Sequence, residues 1–377
     1  MLITAAILAI FVYGMIAAML GTILPDLSAR FKLSPAQNGT IALAQAMGLI
    51  IASLSVGPLI DYEGKKVGLL LGLALITIAL FWLPNSKGYT NIIAALFLLG
   101  IGGGIIVTGA NALVSDIDPA HRGTTLNLLN LFFGLGGLAT PLISANLFQR
   151  NSIRLCYTVA SLTAFVLVFH VLTPIPPPAA AQPELWKGAE EVAGSPVLWL
   201  LAAYMFLYVA SEVGVWNWLV RHLVAQGLPE SKALNILSLG FALGLLVGRV
   251  AVAPILRSVS ELTVTLAAPV AMMVFTYLML RTRDAVQAWI LVFCAGLAMA
   301  PVFPTTLAIV GNTFTHMTAT AMGIVITCGW IGLAVSSRII GSIAGDDPKR
   351  LKKALMLLPG MAAAMVVINL VLHQMVR

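Results

Sequence analysis

The chain has 377 residues, of which 60% are hydrophobic and only 9% charged, and its mean hydropathy is +1.00. Soluble domains carry roughly a quarter of their residues as charges, so this balance excludes a water-soluble protein. The net charge of +7 comes from basic residues scattered through short loops, which fits a membrane surface and excludes a nucleic-acid stripe.

Apolar runs of roughly 20 residues, long enough to cross a ~30 Å hydrocarbon core as helix, recur from end to end. They predict membrane helices near 3–24, 37–60, 66–83, 91–114, 123–148 and 153–173, and again near 196–222, 232–256, 261–280, 286–311, 317–343 and 352–374. The fold class is therefore all-α, with twelve transmembrane helices and no soluble domain. The first run lacks a basic flank and a small-residue cleavage site, so it is expected to stay as a helix. Cys156, Cys294 and Cys328 lie inside spans at wide spacing, and the five histidines are far apart. No disulfide, no metal site and no catalytic constellation is expected, and hence no enzyme.

Within the first six spans, Gln45, Asn111, Asn127 and Asn130 place amides in an apolar setting. Amides both donate and accept, which suits a polyol, and each suits a helix-to-helix hydrogen bond equally well. The glycine run GIGGG at 100–104 lies inside a span and not at a strand-to-helix turn, so it is no phosphate loop. The composition breaks at TPIPPPAAAQPELWKGAEEVAGSP, residues 173–196, a proline-rich linker pattern. It divides the chain into a six-helix bundle over 1–173, a linker over 174–195 and a second six-helix bundle over 196–377.

In the seventh span Glu212 is the one acidic residue well inside the membrane, at a cost on the order of 3 kcal/mol. Tyr204, Tyr208, Glu212 and Trp216 recur every four residues and share one helix face. A carboxylate accepts hydroxyl hydrogen bonds and an indole stacks on the apolar side of a pyranose; an interhelical bond among core aromatics is the alternative. Arg249, in the eighth span, is expected to pair with Glu212, to seal a gate or to snorkel to the interface. Pro301 and Pro304 break the tenth span, as a hinge or as a packed kink. Trp330, in the eleventh, is a candidate for a cavity wall.

Sliding one half of the chain on the other, a single offset of 196 aligns three pairs of spans. It puts Gly48 on Gly244, Pro58 on Pro254, Gly100 on Gly296 and Gly136 on Gly332. Two parallel six-helix repeats, related by a pseudo-two-fold axis along the membrane normal, form a transporter plan with its substrate site at the repeat interface.

GPLIDYEGKKVGLLLG, residues 57–72, resembles the loop signature of the major facilitator superfamily, with Gly57, Asp61, Gly64, Lys65 and Lys66 in the signature positions. Asp61 there can accept charge-assisted hydrogen bonds from a neighbouring helix end, a latch made and broken by rocking, with Gly64, Lys65 and Lys66 in the same gate. A plain polar turn is the alternative. Within that superfamily, residues 108–143, 208–219 and 296–308 resemble the fucose:proton symporters and their sodium-glucose relatives. The resemblance implies a monosaccharide importer, with Asn130 where the family has a substrate-facing Gln. It implies a multi-pass monomer in the bacterial inner membrane, with no cofactor beyond a coupling proton or sodium ion. The family's two membrane acids of the first half fall on Gly21 and Val107, which leaves Glu212 as the coupling candidate.

The resemblance makes the termini and the 174–195 linker cytoplasmic, and this conflicts with the charges. Lys and Arg then number six inside and thirteen outside, among them 349, 350, 352 and 353, against the positive-inside rule. A drug or lipid exporter of the same superfamily and a passive sugar facilitator are the rival functions.

Overall fold

The computed structural model describes residues 1–177, 185–345 and 347–375. Sixteen helices run in chain order among them: α1 (Leu2–Phe31), α2 (Pro35–Glu63), α3 (Lys65–Trp82), α4 (Tyr89–Ile117), α5 (Arg122–Asn146), α6 (Ser152–Leu172), α7 (Leu185–Gly194) and α8 (Pro196–Ala225). There follow α9 (Glu230–Asn235), α10 (Leu243–Ile255), α11 (Glu261–Met279), α12 (Ala285–Met299), α13 (Val302–Thr313), α14 (Thr318–Ala344), α15 (Pro348–Leu355) and α16 (Leu357–Met375). They make twelve segments long and apolar enough to span a membrane, and the described residues contain no strand. Each agrees with a predicted run to within a few residues, except that α1 continues seven residues past its expected end, through Pro25.

Local chemistry sets several starts. Ser34 and Gln37 form a reciprocal capping box with Pro35 in the first helical position of α2. Asn151 caps α6, Ser260 caps α11 and Asp284 caps α12, each accepting from a first-turn N–H.

Three spans are not continuous α-helix. The tenth breaks at Ala300 and Pro301, as its prolines require, and resumes as α13. The eighth passes through a π-helical turn, Ile236–Ala242, between α9 and α10. The twelfth bends at Met356, between α15 and α16. The π-helical turn has no proline to announce it, whereas Pro359 lacks the N–H that would bond the Leu355 carbonyl and so accounts for the bend at Met356.

The chain packs as two compact units whose boundaries differ from the expected bundles. Unit 1 holds Met1–Pro119, Leu129–Gly194 and Phe314–Thr327; unit 2 holds Ala120–Leu128, Ser195–Thr313 and Cys328–Arg377. The first turns of α5 and of α14 thus pack in the unit opposite to the one that their own half of the sequence supplies. Hydropathy marks where a helix lies but is blind to which neighbours its first turn meets. The expected linker contains α7, which packs against α2 with Val192 buried and Lys187, Glu190 and Glu191 exposed. After the last proline, Gly188 and Val192 at i, i+4 supply a buried stripe that the prolines upstream obscure. Residues 178–184 of that stretch lie outside the described residues.

Inside each unit the offset of 196 becomes geometry. A Cβ on Gly48 would overlap the carbonyl oxygen of Phe97, and one on Gly244 would overlap that of Phe293, 196 residues on in both partners. Gly100 meets the carbonyl of Gln45 as Gly296 meets that of Phe241, and Gly136 meets Phe11 as Gly332 meets Phe206. Each unit therefore brings helix backbones together at small residues, the way membrane helices associate when no hydrophobic drive separates them from lipid. The GIGGG run serves the same end. Gly100 and Gly104 face α2, Gly102 faces Gly72 of α3, and Gly103 faces the Tyr13 ring of α1.

Candidate functional site

Among the candidate residues, the unit 1 group is an amide pair. Asn130 Nδ2 donates to Asn111 Oδ1 at 2.9 Å, and Asn111 Nδ2 donates back along α4 to the Val107 carbonyl at 2.7 Å. Both side chains are buried, at 3% and 0% exposure. Tyr13 and Phe133 stack beside α1 and α5 with ring centroids 5.3 Å apart. Gln45 is buried on α2, its backbone against Gly100.

Asn127, one helical turn before Asn130, is not in this group. It lies in the α5 segment of unit 2 and donates to the Gly123 carbonyl at 2.7 Å and to Thr305 Oγ1 of α13 at 3.0 Å. The expected common face of Asn127 and Asn130 is real along the helix, yet the two amides serve different neighbours. All three asparagine Nδ2 groups are hydrogen-bonded to protein, the arrangement expected of helix-to-helix bonds.

Unit 2 holds the charged group. Glu212 sits at the middle of α8 and is half-buried, and the Trp216 indole N–H donates to its Oε1 at 3.4 Å. Trp216 is 38% exposed and meets the Phe241 ring edge-on, with centroids 5.3 Å apart. Phe241 belongs to the π-helical turn, so the widened turn of the eighth span supports the aromatic that backs Trp216. Such turns concentrate at functional sites. No sequence signal had marked Phe241.

Tyr208 is fully buried one turn before Glu212. Arg249 is itself buried, at 6% exposure, which overturns the snorkelling alternative and leaves it as an internal charge of unit 2. Trp330 is half-buried on α14 in the same unit. Tyr204, the fourth residue of the predicted face, points away from this group: its hydroxyl donates to the Thr265 carbonyl of α11, making it a packing residue.

The tenth-span break is a packed kink. Gly248 of α10 fits against the Leu297 carbonyl, one of those that Pro301 leaves without an intrahelical donor.

The 57–66 stretch builds a second, distinct site in unit 1. Gly57 lets the first turn of α14 approach so closely that a Cβ would meet the Thr320 backbone. One turn on, the Asp61 carboxylate, 2% exposed, accepts the Ala319 N–H at 3.1 Å, the Thr320 N–H at 2.7 Å and the Thr320 hydroxyl at 2.8 Å. Those N–H groups are the unsatisfied donors of a helix start, where the helix dipole also favours negative charge. Lys65 Nζ lies 3.8 Å from Asp61 and 2.7 Å from Asp116, tying α2, α3 and α4 together. Gly64 takes φ 100° between α2 and α3, a conformation that disfavours side-chain-bearing residues. Lys66 stands apart from this group: its Nζ donates to the Val171 and Thr173 carbonyls at the end of α6, at 2.9 and 3.0 Å.

Sequence reasoning missed two polar contacts of unit 2 near the start of α5. Arg122 Nη1 donates to Asn312 Oδ1 at 2.7 Å, and Thr124 Oγ1 donates to the Ala253 carbonyl at 2.9 Å. Only the two-fold repeat could have suggested them, since they join α5 to α13 and α10 in the second unit. A surface cleft of about 440 Å³, lined by Gly21, Leu24, Pro25, Ser28, Ala29 and Asn38, contains none of the candidate residues.

Comparison with known proteins matches this arrangement of helices. The family model described as Major Facilitator Superfamily matches residues 6–337. The chain is 26% identical over 362 residues to a protein named glucose/galactose transporter from Brucella abortus, covering 90% of this chain and 87% of the relative. It is 24% identical over 349 residues to a TsgA homologue from Erwinia tasmaniensis, covering 88% and 84%. Among solved structures it is similar to FucP, a transporter of the same superfamily crystallised in the outward conformation, with a TM-score of 0.86, 18% identity and 98% of each chain covered. A latched signature loop, twelve spans and a family match over most of its length together mean that this chain belongs to the major facilitator superfamily.

Proposed function

We propose that this protein imports a monosaccharide of the hexose class by alternating access, with Glu212 as the site that couples sugar to a proton or a sodium ion. The observation that carries the reading is the Glu212 group: a half-buried carboxylate in mid-span, an exposed indole hydrogen-bonded to it, and a buried arginine in the same unit. A carboxylate and an indole on one accessible face supply hydroxyl acceptors and a stacking surface, the pair a pyranose requires. Relatives named as glucose/galactose transporter and as fucose:proton symporter support the substrate class. The bacterial relatives support the inner membrane as its location.

In this mechanism Glu212 takes up a cation together with sugar, which neutralises the site, and releases it when the site faces the other side. Arg249 opposes the empty carboxylate, so that cation loss and the return step are linked. Asp61, Gly64 and Lys65 form the gate, with Asp61 holding the start of α14 in one conformation and releasing it in the other. The asparagines keep their packing bonds and shape the scaffold around the substrate.

The test is sugar uptake into proteoliposomes under imposed pH or sodium gradients, with wild type beside Glu212→Gln. The variant is expected to keep equal-concentration exchange and to lose accumulation against a gradient by about 100-fold. Intact accumulation would remove Glu212 from coupling. Loss of both exchange and accumulation, with unchanged folding, would make it a substrate ligand alone.

A further inference from the structure

The basic cluster that opposes the positive-inside count has a structural home of its own. Four of the thirteen cations lie on α15, the eight-residue helix between the membrane spans of α14 and α16. At 100° per residue, Lys349, Arg350, Lys352 and Lys353 fall within an arc of about 160°. Leu351, Ala354 and Leu355, each 1% exposed, occupy the opposite arc and pack toward α8 and α16. All four cations are exposed. Asp347 caps the helix by accepting the Lys349 N–H at 2.8 Å and lies 3.9 Å from Arg350, so one carboxylate faces four positive charges among the described residues there.

Immediately after the cations, Met356 and Leu357 are 36% and 38% exposed, so an apolar step borders the charged one. Beside it on α8, Arg221 donates to the Gly345 carbonyl at 2.7 Å and lies over the Trp218 ring, an aromatic of the kind that marks the headgroup level. Cations on stems that reach past an apolar rim match a phosphate above an acyl chain.

We infer that α15 is an interfacial docking site for anionic phospholipid headgroups, with Lys349, Arg350, Lys352 and Lys353 as the phosphate-binding set and Met356 and Leu357 against the acyl chains. Lipid docking there is independent of what the transporter carries and of which side of the membrane α15 occupies. Each cation near an anionic surface contributes about a fivefold gain in partitioning, screened by salt.

Native mass spectrometry of the full chain, equilibrated with equimolar phosphatidylglycerol and phosphatidylcholine, tests it. Wild type is expected to retain phosphatidylglycerol over phosphatidylcholine by tenfold or more. The fourfold variant Lys349→Gln, Arg350→Gln, Lys352→Gln, Lys353→Gln should bring the ratio near parity. A charge-conserving set, Lys349→Arg, Arg350→Lys, Lys352→Arg, Lys353→Arg, should keep it. Equal retention of the two lipids by wild type, or an unchanged preference in the glutamine variant, would overturn the assignment. So would displacement of the lipid by excess inorganic phosphate, which lacks the acyl chains that Met356 and Leu357 are proposed to hold. The wild-type comparison stands even if the glutamine variant fails to fold.

Discussion

Unit 1 and unit 2 are built alike in backbone and unlike in chemistry. Their glycines meet equivalent carbonyls, Gly48 with Phe97 and Gly244 with Phe293, yet the polar residues within those frames are used differently. In unit 1 Asn111 and Asn130 are buried and bonded to each other, and Asp61 is buried against a helix start. In unit 2 Glu212 is half-buried with an exposed tryptophan for its bonded neighbour. The Asn111–Asn130 pair and Asp61 of unit 1 are bonded to protein, whereas the central pair of unit 2 has surface left for a ligand. A repeat preserves what sterics demand of the backbone and leaves side-chain chemistry to diverge.

The largest expected effect probes the shared frame. Gly48→Leu and Gly244→Leu each drive a side chain into a helix backbone, and each should lower the unfolding temperature sharply or block insertion, beyond the 1–3 kcal/mol typical of overpacking. Thermal melting in detergent measures both. Equal losses sharpen the equivalence of the units, and a large loss at one position with none at the other breaks it.

Next in size is Asp61→Ala, which removes a carboxylate that accepts three hydrogen bonds. Bonds to charged groups contribute about 1.5–3 kcal/mol each, offset by the desolvation of the carboxylate, so a net loss of about 3 kcal/mol is expected. Asp61→Asn should recover part of it, since the amide oxygen still accepts. Cysteine accessibility near the start of α14, together with melting, reads this out; it should rise in the alanine variant and leave probes near Glu212 unaffected if the two sites are independent.

The smallest effect lies in the amide pair. Asn111→Ala and Asn130→Ala should show a coupling of about 0.6 kcal/mol in a double-mutant cycle, the average for interhelical bonds in lipid. If instead each variant abolishes sugar binding without altering melting, the contrast between a structural unit 1 pair and a ligand-facing unit 2 pair fails.

Much of the candidate site was legible before the fold. Glu212 stood out because a carboxylate in an apolar span is costly wherever the helix faces, and Trp216 stood out because helical spacing places it one turn away. The signature 57–66 announced a turn and a carboxylate. It did not distinguish Lys65, in the Asp61–Asp116 bridge, from Lys66, on the end of α6, since adjacent residues on a helix point in directions about 100° apart. Asn127 and Asn130 were read as one face and are, yet the neighbours that decide what each amide bonds come from different units.

The sequence by itself determined the twelve spans, their break at Pro301, the repeat at 196 and the costly carboxylate. Hydropathy, proline geometry and glycine positions are properties of a residue and its near neighbours. Only the tertiary structure decided that Asp61 meets Thr320, 259 residues away, and that Phe241 backs Trp216. It also decided that the first turns of α5 and α14 pack in the opposite units. Those outcomes depend on which helix backbones approach closely enough for hydrogen bonds and ring contacts that act over a few ångströms, and no local pattern encodes that proximity.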